Sequence, residues 1–183
     1  MDIIASYIEG VVTVKSPPVK DDRGSLRRLF CQKELAPVIS ERQVVQINHT
    51  VTNNKGAVRG FHFQYPSHAE MKIVRCIKGK VWDVAVDLRQ GSATFLQWFA
   101  QELTPENGKM MVIPEGCAHG FQVLENESEL LYLHTAFYNP DAEGGVNVLD
   151  PKLAVDWPME IQDLSDRDRQ HPLLSDDFTG VVL

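Results

Sequence analysis

Four polar side chains in strand-like segments could together carry out proton-transfer chemistry. His62 could accept a proton, and the Lys72 ammonium could stabilise a developing negative charge. Tyr132 could donate a proton from another side, and His119 could line a polar pocket. These residue types suit the removal of a proton beside a carbonyl group, with the cation stabilising the enolate oxygen.

Two spaced motifs surround these residues. The first has Gly56, five residues, His62 and later Gly79, and the second has Gly108, five residues, Pro114, Gly116 and His119. This spacing resembles the two signatures of the cupin β-barrels, many of which bind a metal ion.

Two positions differ from those of a metal-binding cupin. Gln64 stands where His is usual, and Lys72 stands where Glu is usual. An ammonium group has no lone pair for a metal ion and repels it. The spacing and these two replacements therefore predict a cupin-type barrel whose chemistry does not use a metal ion. The alternative is a metal cupin that uses His62 and His119, with ligands recruited from His49, His68 and His134.

Each candidate residue also has a purely structural interpretation. His62 could be a hydrogen-bonded core residue, and Lys72 could be a solvated residue at a strand edge. Tyr132 could be an aromatic residue of a strand whose hydroxyl group contacts solvent, and His119 could stabilise a turn. Asp168, in a Ser-Asp-Arg-Asp run, could be a helix cap.

Composition limits the class of protein. The chain has 183 residues, 43% of them hydrophobic and 23% charged, with a formal net charge of -7. This balance predicts one globular domain over residues 1–183 and argues against non-specific nucleic-acid binding. The sequence contains no signal peptide and no run of about 20 apolar residues. Three cysteines without close spacing favour a reducing compartment. We therefore predict a cytoplasmic protein without nucleic-acid or membrane partners.

Short apolar runs separated by turn signals predict a mainly β sandwich or barrel. The predicted strands are Val11–Lys15, Gln43–Thr52, Ala57–Gln64, Met71–Lys78, Lys80–Asp87, Thr94–Leu103, Lys109–Ile113, His119–Val123, Glu129–Phe137 and Asn147–Leu149. Helical signal is weak, except near Cys31–Ile39 and in a short C-terminal helix capped by Ser165. We expect the C-terminal segment to lie over the barrel.

Strand parity predicts which side chains share the barrel interior. The simplest arrangement directs five of them inwards: His62, Gln64, Lys72, Tyr132 and Tyr138. Arg59 has the opposite parity to His62. Either a bulge redirects Arg59, or it serves another surface.

Many segments, in one order and over nearly the whole chain, resemble the dTDP-4-dehydrorhamnose 3,5-epimerase family. They are Asp22–Gly24, Gln46–His49, Val58–Gln64, Lys72–Arg75, Val81–Arg89, Ile113–Phe121, Asp150–Pro151, Val155–Pro158 and Leu164–Asp168.

The resemblance implies a homodimeric, metal-free cupin barrel that epimerises a 4-keto-6-deoxy nucleotide-diphosphate sugar at C3, C5 or both without a cofactor. It implies His62 as proton acceptor, Asp168 as its orienting group, Tyr132 as proton donor and Lys72 as enolate support. It also implies a set of further substrate contacts: Arg23, Gln46, Asn48, Arg59, His119, Tyr138, Glu143 and Arg167.

One departure concerns the nucleotide. The family typically has Gly-Phe-Phe-x-Glu where this chain has Gly24-Ser25-Leu26-Arg27-Arg28, so Arg28 replaces a substrate-binding Glu. A carboxylate can accept the thymine N3 proton, whereas a guanidinium only donates and suits cytosine N3 better. This difference motivates an alternative hypothesis, a C3 epimerase of a CDP sugar. Another alternative is a non-catalytic nucleotide-sugar binder that kept the pocket.

Overall fold

Alternating apolar and polar residues form short strands along most of the computed structural model, which describes residues 1–183. The strands are β1 (Asp2–Ala5), β2 (Val12–Lys15), β3 (Val19–Asp21), β4 (Gly24–Leu26), β5 (Gln46–Thr52), β6 (Ala57–Gln64), β7 (Lys72–Lys78), β8 (Val81–Asp87), β9 (Trp98–Leu103), β10 (Lys109–Ile113), β11 (Cys117–Val123), β12 (Ser128–His134), β13 (Glu143–Gly145) and β14 (Asp163–Leu164). The helices are α1 (Gln32–Ile39) and α2 (Asp166–Arg169), with a 3-10 turn at Pro140–Ala142. No helix is long and apolar enough to cross a membrane.

The strands form two main sheets. The first has the order β1-β2-β10-β7-β12-β5, and the second has the order β13-β6-β11-β8-β9, with β14 added in parallel beside β6. Strands β3 and β4 pair only with each other. The order is non-sequential within both sheets, as in a jelly roll. The predicted mainly β jelly roll with a short C-terminal helix is confirmed.

Apolar side chains from both sheets form the central core. This buried cluster includes Val74 and Cys76 of β7, Ala85 of β8, Phe121 of β11 and Leu130 of β12. Tyr132 packs against it while remaining partly exposed. The catalytic candidates therefore lie where the apolar interior gives way to polar side chains.

Two further clusters cover the outer faces of the sheets. Helix α1 packs Leu35 and Ile39 against the first sheet. The C-terminal segment covers the second sheet through Leu153 and Leu164, and Trp157 stacks on Phe61. The expected position of the C-terminal segment over the barrel is confirmed.

Several strand boundaries differ from the predicted ones. No strand forms at Asn147–Leu149, because the Asn147 side chain accepts a hydrogen bond from the Leu149 N–H and turns the backbone. Strand β9 starts at Trp98 rather than Thr94, because Thr94 is held in a turn by Asp87. Strands β1, β3, β4, β13 and β14 were not predicted; they are short, and β1, β3 and β4 are exposed.

Asp87 anchors the loop between β8 and β9. Its buried carboxylate accepts hydrogen bonds from Arg89 at 2.8 and 2.9 Å, from Ser92 Oγ at 2.6 Å and from Thr94 Oγ1 at 2.7 Å. Burial acts to raise the pKa of Asp87, but these hydrogen bonds outweigh it and lower the pKa from 3.8 to about 2.

We expect Asp87→Asn to lower the free energy of unfolding at pH 7 by about 2 kcal/mol. Because the folded-state pKa is depressed, the ionised carboxylate stabilises the fold above about pH 4 and loses this effect as the pH falls towards about 2. Urea unfolding at several pH values should show the gap to wild type closing over that range. The exposed Asp156→Asn is the matched control, and an Asp87→Asn gap that stays constant with pH would contradict the assignment.

Candidate active site

A cavity of about 560 Å³ opens between the two sheets. The second sheet contributes His62 from β6 and His119 from β11, and the first contributes Lys72 from β7 and Tyr132 from β12. Half of the other predicted substrate contacts also line it, namely Asn48, Arg59, Tyr138 and Glu143, together with Gln64. The parity prediction is therefore correct for His62, Gln64, Lys72 and Tyr132, whereas Tyr138 lies beyond the end of β12 and borders the cavity from a half-exposed position.

His62 and Asp168 form a hydrogen-bonded dyad. His62 Nε2 lies 2.7 Å from Asp168 Oδ1, and Asp168 is 3% exposed. Burial acts to raise the pKa of Asp168, but the hydrogen bond and charge of His62 lower it more, so the carboxyl is ionised near neutral pH. Nε2–H thus donates to the carboxylate, which leaves Nδ1 with a lone pair that can accept a proton.

A bulge in β6 supports this dyad. His119 pairs with His62 but Phe121 pairs with Arg59, so β6 has one extra residue in this stretch. The bulge brings Arg59 into the same cavity wall as His62. Of the two possibilities left open by strand parity, a bulge that redirects Arg59 is therefore the correct one. Gly60 within it has φ +140, and an added Cβ would lie 2.6 Å from Gly120 Cα. The Gly60 N–H donates to Asp168 Oδ2 at 3.2 Å and fixes the carboxylate.

Lys72 is held by a buried acidic neighbour. Its Nζ lies 3.2 Å from Glu70 Oε1 and donates to the His62 carbonyl at 3.3 Å. The other Glu70 oxygen accepts from His134 Nδ1 at 2.7 Å, and Asn48 Nδ2 lies 3.3 Å from His134 Nε2. Burial acts to raise the pKa of Glu70, but His134 and Lys72 lower it more. These contacts therefore hold the Lys72 side chain at the cavity wall.

Tyr132 faces the cavity from the sheet opposite His62. Burial, and then the charge of Asp83, raise the pKa of Tyr132 well above its ordinary value, so the phenol keeps its proton. His119 packs edge-on against Tyr132, with ring centroids 5.7 Å apart, and its Nε2 is 2.7 Å from Asp83 Oδ1. These contacts fix a proton donor and a polar imidazole beside each other.

The mouth of the cavity carries a network of predicted contacts. Tyr138 donates to Glu143 through its hydroxyl at 2.9 Å and to Gln46 Oε1 through its N–H at 3.1 Å. Gln46 also donates to Asn48 Oδ1 at 3.2 Å, and Arg167 forms an ion pair with Glu143. Tyr138 is 53% exposed, so its ring can be covered by a ligand.

Arg23 and Arg28 do not join this cavity within a single chain. Arg23 pairs with Asp21 at the tip of the β3–β4 hairpin, and Arg28 pairs with Glu34 of α1. Their predicted substrate contacts would need a different arrangement of the hairpin, or a second chain.

Three residues at the site were not among the candidates: Asp83, Glu70 and His171 each lie beside a predicted residue. His134, named above only as a possible ligand of a metal cupin, pairs with Glu70. Asp83 had a detectable signal, because a carboxylate within an apolar strand must be buried with a partner. His171 had none, because it follows α2 in a polar segment. Burial, and then the charge of His62, lower the pKa of His171.

Gln64 occupies a position that holds a metal ligand in metal cupins. Its amide donates to the carbonyl groups of His68 and Phe137 and accepts from the Asn139 N–H. Gln64 therefore holds the loop that carries Tyr138. Two ligand positions of the metal cupins are therefore occupied here by an amide that positions a loop, Gln64, and by an ion-paired ammonium group, Lys72.

The site joins an imidazole–carboxylate dyad, a phenol from the facing sheet and an ammonium group in one cavity. This combination defines a cupin-type barrel built for acid–base chemistry on a carbon acid. A model of the family described as dTDP-4-dehydrorhamnose 3,5-epimerase matches residues 5–176. The chain belongs to this family.

Three similar proteins illustrate the relationship. The dTDP-4-dehydrorhamnose 3,5-epimerase of Shigella flexneri is 38% identical over 92% of this chain and 93% of its own length. The crystal structure of dTDP-6-deoxy-D-glucose-3,5-epimerase from Legionella pneumophila, in complex with dTDP-4-keto-L-rhamnose, has 36% identity and a TM-score of 0.89, covering 94% and 92% of the two chains. A 3'-monoepimerase from Streptomyces bikiniensis, in complex with dTDP-quinovose, has 31% identity and a TM-score of 0.86, covering 93% and 86%.

Proposed function

We propose that this protein epimerises a dTDP-linked 4-keto-6-deoxy sugar at C3, C5 or both. The observation that carries the proposal is the placement of the His62–Asp168 dyad and Tyr132 on facing sheets of one cavity. Inversion of a carbon centre needs a base on one face of the sugar and an acid on the other. The named relatives supply the substrate class, because they act on or bind dTDP sugars.

In the first step, His62 Nδ1 removes a proton from the carbon next to the C4 ketone. Asp168 stabilises the imidazolium that results and keeps the ring in its orientation. Negative charge develops on the ketone oxygen, and the Lys72 ammonium stabilises it. The ketone itself acidifies the C–H bond, so the proposal includes no cofactor.

In the second step, Tyr132 delivers a proton to the opposite face of the enolate. The raised pKa of the phenol keeps this proton on the oxygen until the more basic carbanionic carbon takes it. His119 beside Tyr132 contacts the sugar. Solvent then restores the protonation of both groups.

The cavity mouth binds the nucleotide in this proposal. Arg59 and Arg167 suit diphosphate oxygens, because a guanidinium binds them through a fork of N–H groups. The Tyr138 ring stacks on the nucleobase. Gln46, Asn48 and Glu143 hold Tyr138 in place through the network described above. We also propose a cytoplasmic location, in keeping with three free cysteines.

The number of inverted centres is a separate question. The named relatives include both 3,5-epimerases and a 3'-monoepimerase. Both activities need the same base and acid, and differ in whether the sugar turns to present a second C–H bond.

We expect His62→Gln to slow deuterium wash-in from D2O at C3 at least about a hundredfold, because the general base is lost. Tyr132→Phe should still exchange the C3 proton but return it with unchanged configuration, because only His62 remains to reprotonate the enolate. NMR of a dTDP-4-keto-6-deoxy sugar reports exchange at C3 and C5 separately.

His68→Gln is the matched control, since this imidazole lies outside the cavity wall. It should exchange at the wild-type rate. Wild-type exchange by His62→Gln would refute the assigned base. Binding of the sugar without any wash-in by the wild-type protein would favour the non-catalytic binder.

The alternative hypothesis of a CDP sugar requires that Arg28 contacts the nucleobase. Arg28 pairs with Glu34 of its own chain, and the named relatives act on dTDP sugars, so we expect dTDP to bind at least about fivefold more tightly than CDP, the effect of roughly one hydrogen bond. Isothermal titration with dTDP, UDP and CDP measures this preference. Tighter binding of CDP that Arg28→Glu reverses would contradict the expectation.

We propose further that the protein is a homodimer in which the β3–β4 hairpin serves the cavity of the partner. Val19 and Leu26 on this hairpin are 72% and 75% exposed, and the two strands pair with nothing else in the chain. An isolated two-stranded hairpin is only marginally stable. Strand β5 is a free sheet edge beside the cavity, with Ile47 exposed. A second copy would cover both surfaces.

Mixing two impaired variants tests this arrangement. In a heterodimer of Arg23→Ala and His62→Gln chains, one cavity receives a wild-type base and a wild-type hairpin, while the other has both defects. A refolded equimolar mixture should recover about a quarter of wild-type activity, since half of the dimers are mixed and each has one intact site. Sedimentation should give twice the chain mass of 20.6 kDa. A monomer, or a dimer without recovery, would refute the shared site.

A further inference from the structure

A second imidazole lies beside the His62–Asp168 dyad. His171 Nε2 is 3.6 Å from Asp168 Oδ1, the same oxygen that pairs with His62. The two imidazole rings meet edge to face, with centroids 5.5 Å apart. One nitrogen of each imidazole and one carboxylate oxygen all lie within 4.8 Å of one another.

The His171 Nε2 atom is buried and has no hydrogen-bond partner. A buried polar atom without a hydrogen-bond partner lowers the free energy of unfolding, so the burial of this nitrogen needs an explanation. Its ring is packed in place, because a Cβ on Gly145 would lie 2.2 Å from His171. The unpaired nitrogen is therefore held beside the carboxylate rather than free to turn away.

We propose that His62, Asp168 and His171 form a binding site for a zinc-type divalent metal ion that blocks the epimerase. The binding itself does not depend on the proposed function, whereas the inhibition rests on it. This ligand set shares only His62 with the ligand positions of the metal cupins.

The ligand types and distances suit this ion. Zinc takes imidazole nitrogen and carboxylate oxygen at about 2.0–2.2 Å, which puts neighbouring ligand atoms roughly 3.3 Å apart. The Asp168–His171 separation of 3.6 Å is already close to that value, and the His62–Asp168 separation of 2.7 Å must widen slightly. Water completes the coordination from the adjoining cavity, which His62 and Asp168 both line.

Neighbouring groups determine the affinity of this site for a metal ion. The Gly60 N–H holds the other oxygen of Asp168, as outer contacts hold metal ligands elsewhere. Arg59 and Arg167 also line the adjoining cavity and oppose a cation, although Glu143 pairs with Arg167.

Inhibition follows from the histidine tautomer. A metal ion on Nε2 of His62 needs the lone pair of that atom, so the Nε2 proton leaves to solvent and Nδ1 takes one up. The imidazole stays neutral, but the nitrogen that would accept the substrate proton now carries one already. The metal-bound protein therefore has no free base.

Tag-free protein titrated with Co2+ and Zn2+ tests the proposal. We expect one Co2+ per chain, with the visible absorption of a low-coordinate N/O site, and displacement by Zn2+. His171→Asn, which keeps a polar side chain but removes the imidazole ligand, should weaken binding at least about tenfold, as loss of even an outer contact often does. His171→Ala repeats the test if the amide contributes a contact of its own.

His49→Gln is the matched control, because it removes an exposed imidazole without touching the cluster. It should bind Co2+ as tightly as wild type. Zn2+ should also slow deuterium wash-in by wild type but not by His171→Asn. Absence of one-to-one Co2+ binding, or equal binding by wild type and both His171 variants, would overturn the site whether or not the protein is active.

Discussion

The contact between the Asp168 carboxylate and His62 is the interaction on which the rest of the site depends. It joins the C-terminal segment to β6, because Asp168 lies in α2 and also accepts from the Gly60 N–H. Ser165 caps α2 by accepting from the Asp168 N–H at 3.1 Å. The C-terminal segment thus covers the second sheet and supplies the carboxylate that orients the proposed base.

The cavity repeats this arrangement with different partners. His119 pairs with Asp83, and His134 pairs with Glu70, each at 2.7 Å. A buried charge is expensive unless it is paired, and each pair fixes the ring of one imidazole. Rigid orientation matters here because proton transfer to and from carbon depends on placement to a fraction of an ångström. The unfavourable free energy of burying the carboxylates is therefore offset, because the oriented side chains need little reorganisation during the reaction.

Much of the fold could be predicted because strand parity and turn residues are local signals. Alternation shows which residues share a strand face with His62, Lys72 and Tyr132, and the cupin spacing directs those faces inwards. The position of Arg59 could not be fixed in the same way, because a bulge changes parity without a clear sequence mark beyond Gly60. The partner of His62 lies 106 residues away, so only a resemblance to a family could supply it. Glu70 and His171 were missed, and His134 was considered only as a metal ligand, because their roles come from packing between elements distant in sequence.

Lys72 shows how a barrel frame can keep its geometry while its chemistry changes. A metal ion at that place would stabilise an enolate as a Lewis acid, and the ammonium group supplies a fixed positive charge to the same region. Glu70 holds the ammonium in place but also neutralises part of its charge, so the ion pair must yield as charge develops on a substrate oxygen. An oxyanion closer to Nζ than the Glu70 oxygen can compete for its N–H groups, whereas a neutral ketone competes poorly. In the proposed mechanism, the pairing with Glu70 thus makes Lys72 more selective for the enolate than for the ground-state ketone, which is the difference that lowers a barrier.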